Sequence, residues 1–234
     1  MKKLSLLIVV MTLVASCSSD KKKPTQEDRP LEVVKNSAIK KEYEVRDASS
    51  DYRPTWIEDA EVWAKQNEKE IDKNRFFSFE TEPKVNRTAA CDVAKANISA
   101  DIASEITNFI EKTFASTTDG NASVDLNNPN LAPLKEYMSN TLAQKVQSMI
   151  HGAAIVKTYW EQREYKASLG AKGDFKAYTC AVLVRMDAAT LKKSVDDAAN
   201  FVAKKVEDPE SKAKVEKALK DVSDNFIKAR KGEI

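Results

Sequence analysis

Cysteine and histidine are the rarest residues with distinctive chemistry in this 234-residue chain, which has three cysteines and one histidine. His151 has no Cys, Asp or Glu beside it at metal-ligand spacing. The sequence also lacks a glycine-rich phosphate loop, a nucleophile elbow and the paired histidines of zinc proteases. Asp101 and Glu105 are four residues apart, a spacing typical of a solvated helix face. We therefore expect no enzyme, no cofactor and no metal site.

The segment that precedes the first cysteine has the form of a secretory signal. Lys2 and Lys3 give it a positive start, and an apolar run extends from Leu4 to Ala15. This run is too short to be a stable membrane span. We predict that residues 1–16 are a signal peptide.

The signal exits through Val14-Ala15-Ser16-Cys17, which resembles the lipobox of bacterial lipoproteins. The resemblance implies that Cys17 becomes the lipid-bearing first residue of the mature chain and anchors it to a membrane. Ser18 follows the cysteine, and by analogy with sorting in Gram-negative bacteria this residue favours the outer membrane. The alternative is an ordinary cleaved signal with a coincidental cysteine.

Charge and composition exclude several classes of partner and fold. The chain has 38 Lys and Arg against 36 Asp and Glu, and loss of Lys2 and Lys3 with the signal equalises the two. Nucleic acid is then not an expected partner, because phosphate binding needs a surplus of positive charge. A hydrophobic content of 42% is that of an ordinary globular domain.

The elements that position these residues begin after a polar segment. Residues 17–50 are rich in charge and proline, which predicts a disordered tether behind the lipidated cysteine. Order is expected from residue 51, where Trp56 and Trp63 have the helical spacing of core residues. A carbohydrate platform is the alternative role for the two tryptophans.

Hydrophobic periodicity then predicts an α+β domain over residues 51–187, followed by C-terminal helices over 188–234. Its sheet is expected to be small, antiparallel and three-stranded, and to be covered by long helices. The later strand of the hairpin should be central, and the earlier one edge-like because it carries Lys157, Glu161 and Arg163 on one face. The predicted elements are a strand Arg75–Thr81, a helix Arg87–Thr113, a loop Ser116–Asn130, a helix Leu131–His151 and a hairpin of Ala154–Lys166 with Asp174–Met186.

Cys91 and Cys180 are the two thiols left if Cys17 carries lipid. Cys91 begins the apolar face of the long helix, and Cys180 lies in the middle of the last strand. In an oxidising compartment a helix packed on that sheet face would bring both sulfurs into one interface. We predict a disulfide that closes a loop of about 90 residues, and two buried free thiols are the alternative.

The C-terminal region is predicted to form two helices. Asp187 caps the first, and Asp208-Pro209 separates it from the second. In the last helix Leu219, Val222 and Phe226 follow the spacing of a heptad seam. This stripe is a candidate interaction surface for a partner helix. The alternative is that the helix folds back on its own domain.

The order of elements supports one family resemblance. The segments Arg53-Pro54-Thr55-Trp56-Ile57, Ala94-Lys95-Ala96-Asn97-Ile98 and Tyr178 to Met186 are similar to the twenty-kilodalton lipoprotein family of epsilonproteobacterial outer membranes, whose relatives include flagellar basal-disc lipoproteins. The similarity covers residues 52–187. It implies a dodecin-like sheet crossed by a long helix, and a protein that works by assembly without catalytic residues. The polar loop and the added C-terminal helices depart from this pattern.

We therefore expect a non-enzymatic lipoprotein that acts as a structural or interaction module at the outer membrane. The expected partners are the membrane, through Cys17, and either further copies of the chain or another envelope protein. A periplasmic module that binds a small ligand or cell wall in an apolar cleft between sheet and helix is the alternative. A cell-wall hydrolase with paired carboxylates is a third class.

Overall fold

The computed structural model describes residues 41–118 and 137–234 and confirms the α+β class. Its four strands form one antiparallel sheet in the order β1-β3-β4-β2. The strands are β1 (Tyr43–Ala48), β2 (Asn74–Glu80), β3 (Ala154–Tyr165) and β4 (Phe175–Asp187).

Helices cover both faces of this sheet. Short 3-10 turns at Thr55–Ile57 and Ala167–Leu169 and a π-helical turn at Met138–Leu142 complete the described secondary structure. The α-helices are α1 (Ala60–Asn67), α2 (Arg87–Thr118), α3 (Ala143–Met149), α4 (Ala188–Lys204), α5 (Pro209–Leu219) and α6 (Val222–Lys231).

The sheet has four strands where three were predicted. The additional strand, β1, lies in the segment predicted to be a tether, and it pairs with the end of β3. As a result β3 is an interior strand at that end and not the edge strand that was predicted. Glu161 is only 2% exposed, and its carboxylate pairs with Arg163 of the same strand.

Alternation along β2 and β4 divides the buried side chains between two cores. Phe77 lies in the larger core, whereas Phe76 points to the opposite face and joins the smaller one. In β4 the residues from Cys180 to Val184 are all completely buried, as expected for a strand covered on both faces. The prediction that this strand is central is confirmed.

The larger core lies between the sheet and helices α2 to α6. Helix α2 buries Ile98, Ile102 and Ile106, in agreement with the predicted face, but it continues to Thr118, five residues beyond its predicted end. Residues 116–118 are therefore helical, and the rest of the predicted loop lies outside the described residues. The predicted helix Leu131–His151 is described from residue 137 and ends at Met149.

The C-terminal helices are part of this same core. Asp187 caps α4 by accepting the Thr190 N–H, and Asp208 caps α5 by accepting the Ser211 N–H, with Pro209 at the first position. Leu219, Val222 and Phe226 are at most 5% exposed. The predicted interaction stripe is thus corrected, because it is covered by the chain itself.

The smaller core lies on the opposite face of the sheet. The 3-10 turn and α1 place Trp56 and Trp63 there, each 2% exposed, against Phe76 and Leu183. Trp63 meets Phe76 edge to face, with ring centroids 6.2 Å apart. Both tryptophans are core residues and not a carbohydrate platform.

A disulfide joins α2 to the sheet. Cys91 lies in the second turn of α2 and Cys180 lies in β4, and their Cα atoms are 5.0 Å apart. The helix crosses the sheet face at this point, as the sequence-based pairing requires. The bridge therefore fixes the long helix to the strand that forms the middle of both cores.

Candidate functional site: an acidic cleft at the edge of the sheet

The outer edge of β2 is where side chains from the two helical layers meet. An edge strand directs every second pair of backbone groups away from its sheet, where they need other partners. At Phe76 both the backbone N–H and the carbonyl oxygen have a side-chain partner. Glu61 Oε1 accepts the Phe76 N–H at 3.0 Å, and the Arg230 guanidinium donates to the Phe76 carbonyl oxygen. Two opposite charges thus close this edge position to another strand.

Glu61 is placed by the first turn of α1. The Asp59 carboxylate accepts the Val62 N–H at 2.9 Å and so caps the helix at its start. Glu61 follows in the first turn, where a carboxylate interacts favourably with the helix dipole. It is 6% exposed and lies within 3.7 Å of Arg75, whose side chain is 1% exposed.

Arg230 is placed by the last turn of α6. The helix ends at Gly232, whose φ of 68° is left-handed and favours glycine. Lys65 of α1 donates to the Lys231 carbonyl oxygen at 2.7 Å, which ties the end of α6 to the other layer. The guanidinium is therefore held between α1, α2 and β2.

The Arg230 guanidinium makes three further contacts that fix its orientation. Its Nη1 donates to both oxygens of Glu105 on α2, at 2.9 and 3.1 Å. Its Nη2 is 3.8 Å from Glu61 Oε1, and its central carbon lies 4.2 Å from the centroid of the Phe77 ring. One cation thus bridges two carboxylates that belong to opposite sides of the sheet.

Two cavities flank this arginine. The larger has a volume of about 400 Å³ and the smaller about 250 Å³, and both are lined by Asp59, Glu105 and Arg230. We call the two together the acidic cleft. The larger cavity has an apolar wall, where Phe109 and Phe226 meet edge to face with centroids 5.2 Å apart. The other charged or amide residues that line the cleft are Glu58, Glu61, Asp101, Asn108 and Lys112.

Negative charge predominates in the acidic cleft. Five carboxylates line it against two cations, Lys112 and Arg230. Burial raises the pKa of the Glu61 carboxyl, although the Phe76 N–H and the charges of Arg230 and Arg75 oppose this shift. Partial desolvation likewise raises the pKa of Asp101, against the charge of Arg230. Arg53 and Arg75, which do not line the cleft, pair with Glu58 and Glu61 and offset part of this excess.

A second charged cluster lies on the sheet face that carries the smaller core, and it differs in being balanced. Glu80 accepts hydrogen bonds from Arg53 at 2.7 and 3.0 Å and from Arg163 at 2.7 Å. Glu161 accepts from Arg163 at 2.6 Å and from the Tyr159 hydroxyl at 2.9 Å. Two arginines and two glutamates thus satisfy one another, so we assign this cluster to the fold.

The candidate residues from the sequence lie in different parts of the structure. Asp101 is exposed, as expected for a solvated helix face, whereas Glu105 is half-buried by its contact with Arg230, and both line the acidic cleft. His151 is exposed, two residues after α3 ends. Cys17 lies outside the described residues. Glu61 was not predicted, because a carboxylate in the first turn of a helix usually serves the dipole alone.

The described part of the chain shows neither a metal centre nor a membrane span. Within residues 41–118 and 137–234, no group of three or more His, Cys, Asp or Glu is arranged to hold a metal ion. No helix in these ranges is both long enough and apolar enough to cross a bilayer.

Comparison with known proteins gives no match. No family model, no curated protein and no solved structure matches the chain.

Proposed function

We propose that the chain is a lipid-anchored outer-membrane protein without catalytic activity, whose folded domain binds an envelope partner through the acidic cleft. The observation that carries the binding role is the cleft itself. Residues of α1, α2 and α6 converge there beside the edge of β2. Five carboxylates and two cations line the cleft, and Arg53 and Arg75 pair with Glu58 and Glu61 from outside it. Such a surplus costs stability because like charges in one cavity repel, and a bound cation would offset this cost.

The cysteines support the location. The bridge between Cys91 and Cys180 uses two of the three thiols in the chain. Structural disulfides are typical of exported proteins. Cys17 is the cysteine that remains for lipid, at the end of the signal-like segment. The proposal therefore keeps residues 1–16 as a signal peptide and Cys17 as the anchor.

The packing supports a ligand site at the edge of the sheet over one between sheet and helix. The surface between α2 and β4 is filled by core side chains such as Ile98, Val182 and Val184, each at most 3% exposed. An apolar ligand would have to displace them. A small-ligand or cell-wall binding module would accordingly also use the acidic cleft.

The carboxylate geometry supports binding over hydrolysis. A general acid must bring an oxygen within hydrogen-bond reach of the leaving group. Glu61, the cleft carboxylate with the largest burial, uses Oε1 to hold the Phe76 N–H, and its Oε2 is also buried. Glu105 is held by both oxygens to Arg230. These two groups are occupied by the fold.

Site-specific crosslinking in cells tests the binding role. A photoreactive residue replaces Asn108, which lines the cleft, or Asn97, which is exposed on the same helix three turns earlier. We expect one discrete crosslinked product from position 108 and none from position 97. The product should disappear when Asp101→Asn is added. Equal products from both positions, or none from position 108, would contradict the proposal.

A further inference from the structure

We infer that the end of the β3–β4 hairpin docks on the surface of the lipid bilayer that holds the anchor. This end, which we call the hairpin tip, comprises residues 164–176 together with residues 41–44 of the chain beside them. The inference rests on the lipid anchor of the proposed function and does not depend on the acidic cleft. An exposed aromatic row, a balanced charge and the position at which the chain enters the domain support it.

A row of three aromatic rings crosses the hairpin tip, one from each of three neighbouring strands. Tyr165 pairs with Tyr43 on one side and with Phe175 on the other. Its ring centroid lies 5.3 Å from that of Tyr43 and 4.5 Å from that of Phe175. Phe175 is 48% exposed, whereas the other phenylalanines in the described ranges are buried or partly buried. The row therefore ends in an apolar ring that is in contact with water.

The turn of the hairpin tip adds a second apolar side chain and several lysines. Leu169 lies in the 3-10 turn and is 37% exposed. Lys41, Lys172 and Lys176 are exposed at the tip as well. Tyrosine and lysine side chains have an apolar body and a polar end, which suits them to the boundary between hydrocarbon and water. Phenylalanine and leucine are side chains that surface-bound proteins bury at that boundary. The composition of the tip thus fits the interface of a bilayer.

Charge at the hairpin tip is balanced, which defines the kind of lipid surface that it fits. Residues 41–44 and 164–176 contain four lysines and four acidic residues. Glu44 accepts a hydrogen bond from Lys166 at 2.8 Å, and Asp174 accepts the Ala167 N–H at 2.8 Å. Recognition of anionic headgroups needs a cluster of basic residues in excess. Docking at this tip therefore depends on apolar contact and not on the charge of the lipid.

The chain enters the folded domain at this same end. The Lys166 N–H donates to the Glu42 carbonyl oxygen at 3.1 Å, so the first described residues lie against the turn. Lys41 is 24 residues after Cys17, the proposed anchor. In any conformation such a segment spans at most about 85 Å. A flexible tether of this length, as its composition predicts, gives an effective concentration on the order of millimolar. A weak contact between the tip and the bilayer is then sufficient.

Two other occupants fit the hairpin tip less well. A flat ligand that stacks on a ring needs an open ring face, but Tyr165 lies between its two neighbours and is 9% exposed, and Arg163 is 4.5 Å from the centroid of the Tyr43 ring. A stable protein interface buries about 800 Å² on each partner. The exposed apolar side chains of the tip, Leu169 and Phe175, supply far less than this area.

Fluorescence quenching by lipid tests this inference on the full lipidated chain in phosphatidylcholine vesicles. A fluorescent amino acid replaces either Ser168, exposed in the turn, or Glu216, exposed on α5. The vesicles carry a nitroxide quencher on their acyl chains. We expect quenching at position 168 that persists at high salt, because salt screens charges and not apolar contacts, and none at position 216. Equal quenching at both positions, none at position 168, or quenching that high salt abolishes would overturn the inference.

Two variants and a matched control locate the contact in the aromatic row. Phe175→Ser should lower the ratio of docked to undocked chain roughly tenfold, because about half of a phenylalanine side chain is no longer removed from water. Phe175→Trp keeps an aromatic ring of the kind that bilayer interfaces favour and should preserve the quenching. Ile155→Ser removes a 42% exposed apolar side chain at the other end of the same hairpin and should change nothing. Identical effects of Phe175→Ser and Ile155→Ser would refute the assignment to the tip.

The outcomes separate this inference from the proposed function. If the chain carries lipid but position 168 is not quenched, the anchor stands and the inference falls. If the chain carries no lipid, both fall. If the chain self-associates in light scattering and Phe175→Ser abolishes this, while position 168 is not quenched, a second copy occupies the tip and the inference is overturned.

Discussion

Replacement of Glu61 by glutamine or by alanine separates its role as a hydrogen-bond acceptor from its charge. Glutamine keeps an oxygen that can accept the Phe76 N–H. Alanine leaves that N–H without an acceptor, and Phe76 is only 1% exposed. An unpaired buried donor costs about 1–3 kcal/mol. For a domain of this size we expect Glu61→Ala to lower Tm by roughly 3–10 °C. Glu61→Gln should be far milder.

The pH dependence provides a second readout of the same residue. Burial raises the pKa of Glu61, with the Phe76 N–H and two arginines opposing the shift. Between the pKa in the unfolded chain, about 4.3, and the raised pKa in the folded chain, the native state holds more of the proton. The contribution of Glu61 to the unfolding free energy therefore falls as pH rises through this window, whereas a carboxylate with a lowered pKa, such as Glu80, acts in the opposite direction. The contribution of Glu61 is complete below the window and lost above it.

Urea unfolding followed by far-UV circular dichroism measures both effects. The wild type, the two Glu61 variants and a matched control, Glu216→Ala on the exposed side of α5, are compared at pH 4, 5.5 and 7. The difference in unfolding free energy between the wild type and Glu61→Gln should fall as pH rises in this range, because the other carboxylates are common to both proteins. The reasoning is refuted if Glu61→Ala costs no more than Glu216→Ala, or if Glu61→Gln is as unstable as Glu61→Ala.

Three further predictions concern the anchor, the disulfide and the last helix. Cys17→Ser should abolish labelling with a fatty-acid analogue, and continued labelling of the variant would refute lipidation at this residue. Joint replacement of Cys91 and Cys180 by alanine should lower the unfolding free energy by about 4–5 kcal/mol in the chain-entropy model, since the two residues are 89 positions apart. Two reactive thiols per denatured, unreduced chain taken from its native compartment would contradict the bridge. Phe226→Ala should cost about 3–5 kcal/mol because the ring is 1% exposed in the larger core, while Lys220→Ala, at an exposed position just before α6, should change stability by less than about 0.5 kcal/mol. Equal effects in urea unfolding would remove α6 from the core.

Features with a short sequence period could be predicted well. The alternation of Phe76 and Phe77 between two faces, and the spacing of Ile98, Ile102 and Ile106 along α2, follow from the geometry of one strand and one helix. The caps at Asp187 and Asp208 were equally predictable, because a cap contacts backbone only three residues away. Such signals need no knowledge of the rest of the chain.

Features that depend on distant partners could not be predicted. Half of the residues in strand β1 are charged, and its hydrogen bonds go to residues about 120 positions later in β3. In the sequence, Glu161 and Arg163 are typical of an exposed face. In the structure they pair with Arg53 and Glu80, which belong to other parts of the chain. The pattern of one segment contains no information about such partners.

The acidic cleft combines features that depend on local sequence with features that depend on tertiary structure. The sequence by itself determined that α1 starts at a capped turn containing Glu61 and that α6 ends at a glycine shortly after Arg230. Only the tertiary structure decided that these two side chains meet at Phe76, 154 positions before Arg230. Local backbone geometry is set by interactions within a few residues, whereas a site at the edge of a sheet exists only after both helical layers have packed on it.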